Sequence, residues 1–216
     1  MALADDNFDN NFDNNSSNNF ENKLAGNCDD CRIRSSKRIA WAVTGCGDRL
    51  FETYELMLAL REKYDLDVDL FLSKEGLVVV KWYKLWDRIR ADFPGVKVSN
   101  GPNSPFILGE LQMGKYDFLL VSPASANTVA KIVCGIADTF VTNTVAQTAK
   151  SETPVYIFPV DQVRGKITTE APDGRVFQLK MREVDVSNSE KLAGMENITV
   201  LGSEKEIRDI MRIHGY

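Results

Sequence analysis

The stretch from Tyr116 to Asn143 constrains the fold of this chain more than any other part of the sequence. It opens with a short apolar run, Phe118–Val121, which is typical of a buried strand, and the run breaks at Ser122-Pro123. A turn of small residues follows, and an apolar pattern with helical spacing begins at Val129. A strand, a small-residue turn and a helix place backbone N–H groups at the carboxyl edge of a parallel sheet. Open α/β sheets bind their ligands at that edge.

The rest of the chain alternates between strand-like and helix-like segments. We predict strands over residues 39–44, 68–72, 96–99, 118–121, 139–142, 154–159 and 198–201. We predict helices over residues 48–64, 75–92, 106–113 and 144–150, a helical turn over 189–195, and a closing helix that opens with a capping box from Ser203 to Glu206. Two runs, 167–170 and 175–179, flank a Pro-Asp-Gly turn and predict a hairpin excursion near the C-terminus. The fold class is therefore α/β, with an open parallel sheet of the Rossmann or flavodoxin type and helices on both faces.

The first 36 residues differ in kind from the rest, so we predict a disordered tail over 1–36 and one ligand-binding domain over 37–216. Asn, Asp and Ser dominate the tail, and the unit Asn-Phe-Asp-Asn occurs at Asn7–Asn10 and again at Asn11–Asn14. Such a composition buries too little apolar surface to offset the entropy of ordering. The spaced Phe residues suit either a docking segment or a tolerated tail. Cys28 and Cys31 have the spacing of half a zinc site, and either a metal or redox role or no role fits them.

Composition excludes several classes of function. The net charge is −5 and the pI is near 5.1, which does not favour a nucleic-acid partner because phosphate binding needs a basic face. No apolar run is long enough to span a bilayer, and no secretory signal is readable. The sequence thus predicts a cytoplasmic protein with no membrane partner.

Gly45-Cys46-Gly47 follows the first predicted strand and precedes a helix. The glycines permit a tight turn, and the free N–H groups of the helix start attract a phosphate. A dinucleotide fingerprint would need glycine at position 50, where Leu50 stands. A mononucleotide phosphate therefore suits this loop better than NAD does, although a tight turn without a ligand fits equally well. Ser73 ends the second predicted strand and could cap the next helix or donate to a phosphate.

The chemistry missing from the sequence is as informative as what is present. His214 is the sole histidine and stands near the C-terminal end, which we expect to be frayed, so a Ser–His or Cys–His pair has no base in the core. No phosphate-binding loop of the P-loop type occurs. Small, non-ionisable polar groups remain at three strand ends. We predict no catalytic side chain and no metal ligand, and a cofactor that brings its own reactivity.

The turn Pro123-Ala124-Ser125-Ala126-Asn127-Thr128, followed by Gly135–Asn143, resembles the signature of the homo-oligomeric flavin-containing cysteine decarboxylase family. Within that family the chain looks most like archaeoflavoproteins and dihydromethanopterin reductases. The resemblance implies an FMN site between subunits of a trimer-based homo-oligomer. It implies that Gly45, Cys46, Gly47 and Ser73 hold the phosphate, that Ala124, Ser125, Ala126 and Asn127 contact the ribityl chain and the flavin ring, and that Asn143 stands near the flavin. Pro123 and Thr128 complete the implied cofactor motif.

Two departures from the decarboxylases shape the functional expectation. Glu75 and Gly76 follow Ser73 where those enzymes carry a histidine, and the segment Pro159–Gln162 replaces their Met-Asn substrate clamp. The resemblance therefore implies an FMN redox protein that takes electrons from a ferredoxin-like donor and passes them to a redox partner or to a pterin such as dihydromethanopterin. The alternatives are a phosphopantothenoylcysteine-type decarboxylase and a non-catalytic flavin-binding module.

Overall fold

The computed structural model describes residues 37–216. The tail over 1–36, with its Asn-Phe-Asp units and the Cys28–Cys31 pair, lies outside the described residues. The strands are β1 Arg38–Val43, β2 Asp67–Leu72, β3 Lys97–Val98, β4 Phe118–Ala124, β5 Val155–Pro159, β6 Lys166–Glu170, β7 Val176–Lys180 and β8 Ile198–Val200. The α-helices are α1 Leu50–Tyr64, α2 Lys74–Trp82, α3 Trp86–Asp92, α4 Leu108–Gln112, α5 Ala126–Val133, α6 Phe140–Thr148, α7 Glu183–Leu192 and α8 Ile207–Ile213.

The predicted open parallel sheet is confirmed. Six strands pair in the order β3-β2-β1-β4-β5-β8, and every pairing between them is parallel. The chain builds outward from β1 in one direction and from β4 in the other. The topological switch point therefore lies between β1 and β4, where open α/β sheets form a crevice at their carboxyl edge.

Helices cover both faces of this sheet because the central strands are apolar on both sides. In β1, Trp41 and Val43 belong to a core that includes residues of α1, α3 and α8, whereas Ala40 and Ala42 belong to a second core shared with α5 and α6. All seven residues of β4 are buried. A strand buried on both faces reads as an unbroken apolar run, which is why this stretch was recognisable in the sequence.

The predicted hairpin is confirmed as a separate two-stranded sheet of β6 and β7, paired antiparallel. Its turn closes with Gly174, which has a φ of 82° and donates its N–H to the carbonyl of Ala171. Every residue of β7 is exposed. A lone two-stranded ribbon is marginally stable in water, so this hairpin depends on its contacts with the rest of the domain.

Two predicted elements around the central turn are wrong. The strand predicted over 139–142 is the start of α6, because Thr139 caps the helix and forms a reciprocal capping box with Thr142. The β-branched pattern favoured a strand, but the capping hydrogen bonds decided for a helix. The break predicted at Ser122-Pro123 is also absent, since β4 continues to Ala124 with a shift in register against β5. Pro123 has no N–H to give to the ladder, which accounts for the irregularity.

Three further expectations need correction. The helix predicted over 75–92 is divided into α2 and α3, with Lys84 at a φ of 57° between them. The helical turn predicted over 189–195 is the full helix α7, which begins at Glu183. At the final helix, Ser203 makes no side-chain cap, and the Glu206 carboxylate instead accepts the N–H of Gly202.

The expectation that His214 lies in a frayed C-terminal end is wrong, because this end of the chain is packed. The His214 ring lies 4.9 Å from the ring of Phe118, and its Nε2 atom is 3.0 Å from the hydroxyl of Tyr156. Burial lowers the pKa of His214, so the imidazole favours its neutral form. Within residues 37–216, no helix has both the length and the apolar character needed to cross a membrane.

Candidate functional site

The switch point is fixed by hydrogen bonds between the ends of β1 and β4. The hydroxyl of Thr44 donates to the carbonyl of Pro123 at 3.0 Å and accepts the N–H of Ser125 at 2.8 Å. The Thr44 N–H also donates to the Pro123 carbonyl, at 3.3 Å. These contacts hold the turn after β4 in one position relative to the Gly45–Gly47 loop.

The N-termini of three helices meet at one cleft beside this turn. Ser73 caps α2 by accepting the N–H of Gly76 at 2.8 Å, and Ser125 caps α5 by accepting the N–H of Thr128 at 3.4 Å. Thr139 caps α6. The three capping residues line a cleft of about 220 Å³. A helix N-terminus carries free N–H groups and partial positive charge, so three of them at one cleft favour an anionic ligand.

Five residues that the sequence nominated lie on the wall of this cleft: Gly45, Ser73, Ser125, Asn127 and Thr128. Gly45 is required for the close approach of α2, because a Cβ atom there would lie 2.7 Å from the Cβ of Glu75. Pro123 and Ala124 are buried at the end of β4 beneath the turn. Ala126 is the first residue of α5, and its backbone N–H lies near the carboxylate of Asp161.

The structure adds cleft residues that sequence reasoning missed. Lys131 lines the cleft and pairs with Asp138, with Nζ–O distances of 2.8 and 2.9 Å. Lys131 stands four residues after Asn127 in α5, so helical spacing could have placed it on the same face. Thr139 was missed because its segment was assigned to a strand. Glu75 and Val141 complete the lining.

Cys46, Gly47 and Asn143 are not brought to the cleft. Burial raises the pKa of the Cys46 thiol to about 12, which favours its protonated form. The Asn143 amide donates to the carbonyl of Pro102 at 3.1 Å and to the side-chain oxygen of Asn103 at 2.8 Å. Asn143 thereby ties α6 to the loop after β3. Gly47 lines a second depression that borders the same loop.

That depression, which we call the Tyr83 groove, has a volume of about 480 Å³ and lies between the start of α1 and the hairpin. Its lining includes Gly47, Asp48, Arg49, Tyr83 and Glu170. A Cβ atom at residue 47 would fall 2.4 Å from the Tyr83 ring, so only glycine lets that ring lie against the loop. The Tyr83 hydroxyl donates to the Glu170 carbonyl at 3.3 Å, which connects the hairpin to α2.

Asp48 and Asp161, near the loops at the carboxyl edge of the sheet, have surroundings that oppose the ionisation of their carboxyl groups. Burial raises the pKa of Asp48, against the effect of the neighbouring Arg49. Burial, together with Asp185 and Asp48, raises the pKa of Asp161, although its bond from the Ala126 N–H acts in the other direction. Both carboxyl groups therefore hold their protons more tightly than an exposed aspartate does.

Comparisons with known proteins agree with this geometry. Residues 31–211 match the model of the family described as Flavoprotein. An uncharacterised protein of Methanocaldococcus jannaschii is 50% identical over 177 residues, covering 82% of this chain and 95% of the relative. A dihydromethanopterin reductase (acceptor) of the same organism is 29% identical over 248 residues, covering 84% of this chain and 98% of that enzyme.

Among solved structures, DmrB of Burkholderia xenovorans in complex with FMN, described as a cubic protein cage for redox transfer, superposes with a TM-score of 0.71. It is 32% identical, and the match covers 84% of this chain and 96% of that protein. The family match spans the whole parallel sheet and the cleft at its switch point. The resemblance seen in the turn after β4 is therefore confirmed, and the chain belongs to the Flavoprotein family.

Proposed function

We propose that this protein is an FMN-dependent oxidoreductase that takes electrons from a low-potential, ferredoxin-like donor and reduces a pterin such as dihydromethanopterin. The observation that carries the proposal is the cleft at the switch point, where the caps of α2, α5 and α6 meet around the turn of the flavin family. FMN, when bound, supplies the transfer of hydride or single electrons. The side chains of the cleft bind and orient it.

The residues present fit FMN. Its phosphate needs N–H donors and a positive field, and the caps Ser73, Ser125 and Thr139 mark three sources of both. Lys131 adds an ammonium group on the cleft wall, where it pairs with Asp138. The hydroxyl of Thr128 and the amide of Asn127 suit the hydroxyls of a ribityl chain.

The size of the cleft supports a shared site. Ligand pockets typically enclose about 300–1,000 Å³, whereas this cleft offers about 220 Å³. We propose that a second copy of the chain covers the remainder of the cofactor, in a homo-oligomer built from trimers. The description of DmrB as a cubic cage supports an assembly of many copies. Asn143, which faces the loop after β3 within one chain, would then meet the flavin only through a neighbouring copy.

A decarboxylase is less well supported. Gln162 stands in the segment where those relatives carry their substrate clamp, and its amide donates to the carbonyls of Pro159 and Leu201 at 2.8 and 2.9 Å. An amide anchored to backbone in this way does not reach out to a substrate. Glu75 is exposed at the cleft and could act as a base only toward a substrate that enters there.

The test is reconstitution followed by stepwise reduction. The purified protein, incubated with FMN and desalted, should retain flavin absorbance. Reduced ferredoxin should bleach that absorbance without oxygen, and added dihydromethanopterin should restore it with formation of the tetrahydro product. Reoxidation by an artificial acceptor but not by dihydromethanopterin would reject the pterin as acceptor. Release of CO₂ from a cysteine-ended substrate would favour the decarboxylase instead.

A further inference from the structure

We propose that the Tyr83 groove is the binding site for the electron acceptor, and that it takes a planar nitrogen heterocycle of the pterin class carrying an anionic tail. This inference rests on the proposed function, because it assigns the place where the reduced substrate of that function binds.

The position of the groove follows from the loop that borders both the groove and the cleft. Gly45 lines the cleft and Gly47 lines the groove, so one residue separates the two depressions along the chain. Both lie at the carboxyl edge of the sheet, next to the switch point. Hydride transfer requires the two reacting rings in contact, at about 3–3.5 Å between reacting atoms. The cleft holds only part of FMN, so a flavin ring that extends past the Gly45–Gly47 loop would meet a ligand in the groove. The depression lined by Leu60, Tyr64 and Arg208, between α1 and α8, does not border that loop.

The groove offers flat apolar surfaces of the kind on which heterocycles stack. Tyr83 lies against the backbone of Gly47, and its hydroxyl is held by the Glu170 carbonyl. Phe51 lines the same depression and remains 48% exposed, although it is large and apolar. Aromatic rings positioned in this way stack on a planar base with little loss of side-chain entropy. The volume of the groove, about 480 Å³, falls in the range of small-molecule pockets.

Polar groups on the rim of the groove can bind both the ring and the tail of such a ligand. The carboxylates of Asp48 and Glu52 line the groove and can accept from the amino and ring N–H groups that a pterin presents. Arg49 lines the groove too, and its ion pair with Glu52 is long, at 3.5 Å between half-exposed groups. Its guanidinium can therefore turn to a phosphate or carboxylate on the tail of the ligand.

The backbone of Arg49 adopts a conformation that is unfavourable for an arginine. Arg49 precedes α1 with a φ of 57° and makes no side-chain cap. An arginine in the left-handed region costs stability, and such strain concentrates at functional sites. Glycine would adopt this conformation freely, and a serine or aspartate would cap the helix better. An anion on the groove rim would explain why an arginine stands here.

The test measures equilibrium binding of two probes to the FMN-loaded, oxidised protein by calorimetry. The probes are 7,8-dihydrofolate, which carries an anionic tail, and 7,8-dihydropterin, which has none. Tyr83→Ala should weaken binding of both by about 10-fold or more, in line with the loss of one stacking contact. Arg49→Gly should lower the affinity for dihydrofolate several-fold and leave the affinity for dihydropterin unchanged. Arg49→Gly relieves the strained φ, so it carries little risk to folding.

Trp82→Ala is the matched control, because Trp82 neighbours Tyr83 and is 62% exposed but does not line the groove. It should bind both probes as the wild type does. If wild type and Tyr83→Ala bind the probes equally, the groove is not the acceptor site, although pterin reduction can stand. If the wild type binds FMN and neither probe, the pterin acceptor fails together with this inference. If Tyr83→Ala and Arg49→Gly change only the sedimentation of the assembly, the groove is a contact between copies, and the inference is overturned.

Discussion

The cleft and the Tyr83 groove border one short loop, yet they are lined by different kinds of group. The cleft is lined by helix caps and backbone ends whose positions are set by the central sheet. The groove has one wall from the sheet domain and one from the hairpin, and charged side chains supply its polar groups. Backbone dipoles recognise a constant group such as a phosphate, whereas side chains on exposed segments can be changed to fit a variable one.

The two sites also differ in rigidity. The turn that lines the cleft is anchored by Thr44 between two buried strands. The hairpin wall of the groove is a two-stranded ribbon with β7 exposed throughout. Regions with few buried contacts open at low free-energy cost. We therefore expect changes at the cleft to act on cofactor affinity, and changes at the groove to act on the hairpin and on the acceptor.

The largest expected effect is a loss of FMN affinity on substitution of Gly45, the glycine on the cleft side of the loop. Gly45→Ala puts a Cβ atom 2.7 Å from the Cβ of Glu75, so α2 must move and its N-terminus is displaced from the cleft. We expect FMN affinity to fall about 10-fold or more, by analogy with other losses of a preorganised site. Fluorescence titration of the apoprotein with FMN measures it.

Gly47→Ala is the matched change on the groove side, where the new atom meets the Tyr83 ring at 2.4 Å. A ring at the end of a side chain can rotate away, so FMN affinity should change by less than about 3-fold. Equal losses for the two variants would contradict the separation of cleft and groove and would return Gly47 to the phosphate site.

The next effect concerns the cation of the cleft. Lys131→Gln removes the positive charge on the cleft wall and leaves Asp138 without this partner. FMN affinity should fall by about 5-fold, equivalent to roughly 1 kcal/mol for a partly exposed ion pair, and its dependence on salt should weaken. Lys131→Arg should retain most of the affinity. An unchanged FMN dissociation constant for Lys131→Gln would remove Lys131 from the site.

A smaller effect is expected from Asp48 on the groove side. Burial raises its folded-state pKa above the unfolded value of 3.8, so the native state binds more protons between those two values. Ionisation of Asp48 therefore costs stability as the pH rises through that window. Asp48→Asn should unfold at a higher temperature than the wild type at pH 7, and the advantage should disappear below pH 3.8. Thermal denaturation at both pH values measures the difference, and a destabilised variant at pH 7 would contradict the sign.

The smallest effect comes from the bond that holds the hairpin. Tyr83→Phe removes the donor to the Glu170 carbonyl and keeps the aromatic ring. The bond is exposed, so its loss should cost about 0.5–1 kcal/mol of local stability. Hydrogen exchange should speed up for the amides of β6 and β7 and stay the same in β4. Unchanged exchange in the hairpin would mean that other contacts hold it.

The sequence predicted those parts of the site that depend on interactions between residues close together in the chain. Ser73 was predicted either to cap the next helix or to donate to a phosphate, and it caps α2. The cap was predictable because its geometry spans only three residues. The hairpin was found through its Pro-Asp-Gly turn for the same reason. Thr139–Thr142 was misassigned because its β-branched pattern suits a strand, and the capping box that overrides it is a cooperative feature of several hydrogen bonds.

The sequence by itself determined the parallel sheet, the turn of the Flavoprotein family after β4 and the two glycines of the first loop. Each of these is local, since apolar periodicity and turn chemistry act between near neighbours in the chain. Only the tertiary structure decided that the caps of α2, α5 and α6 meet at one cleft with Lys131, and that Gly47 faces Tyr83 instead. These groups are brought together by the strand order β2-β1-β4, which depends on packing both faces of the sheet and leaves no mark in any one segment.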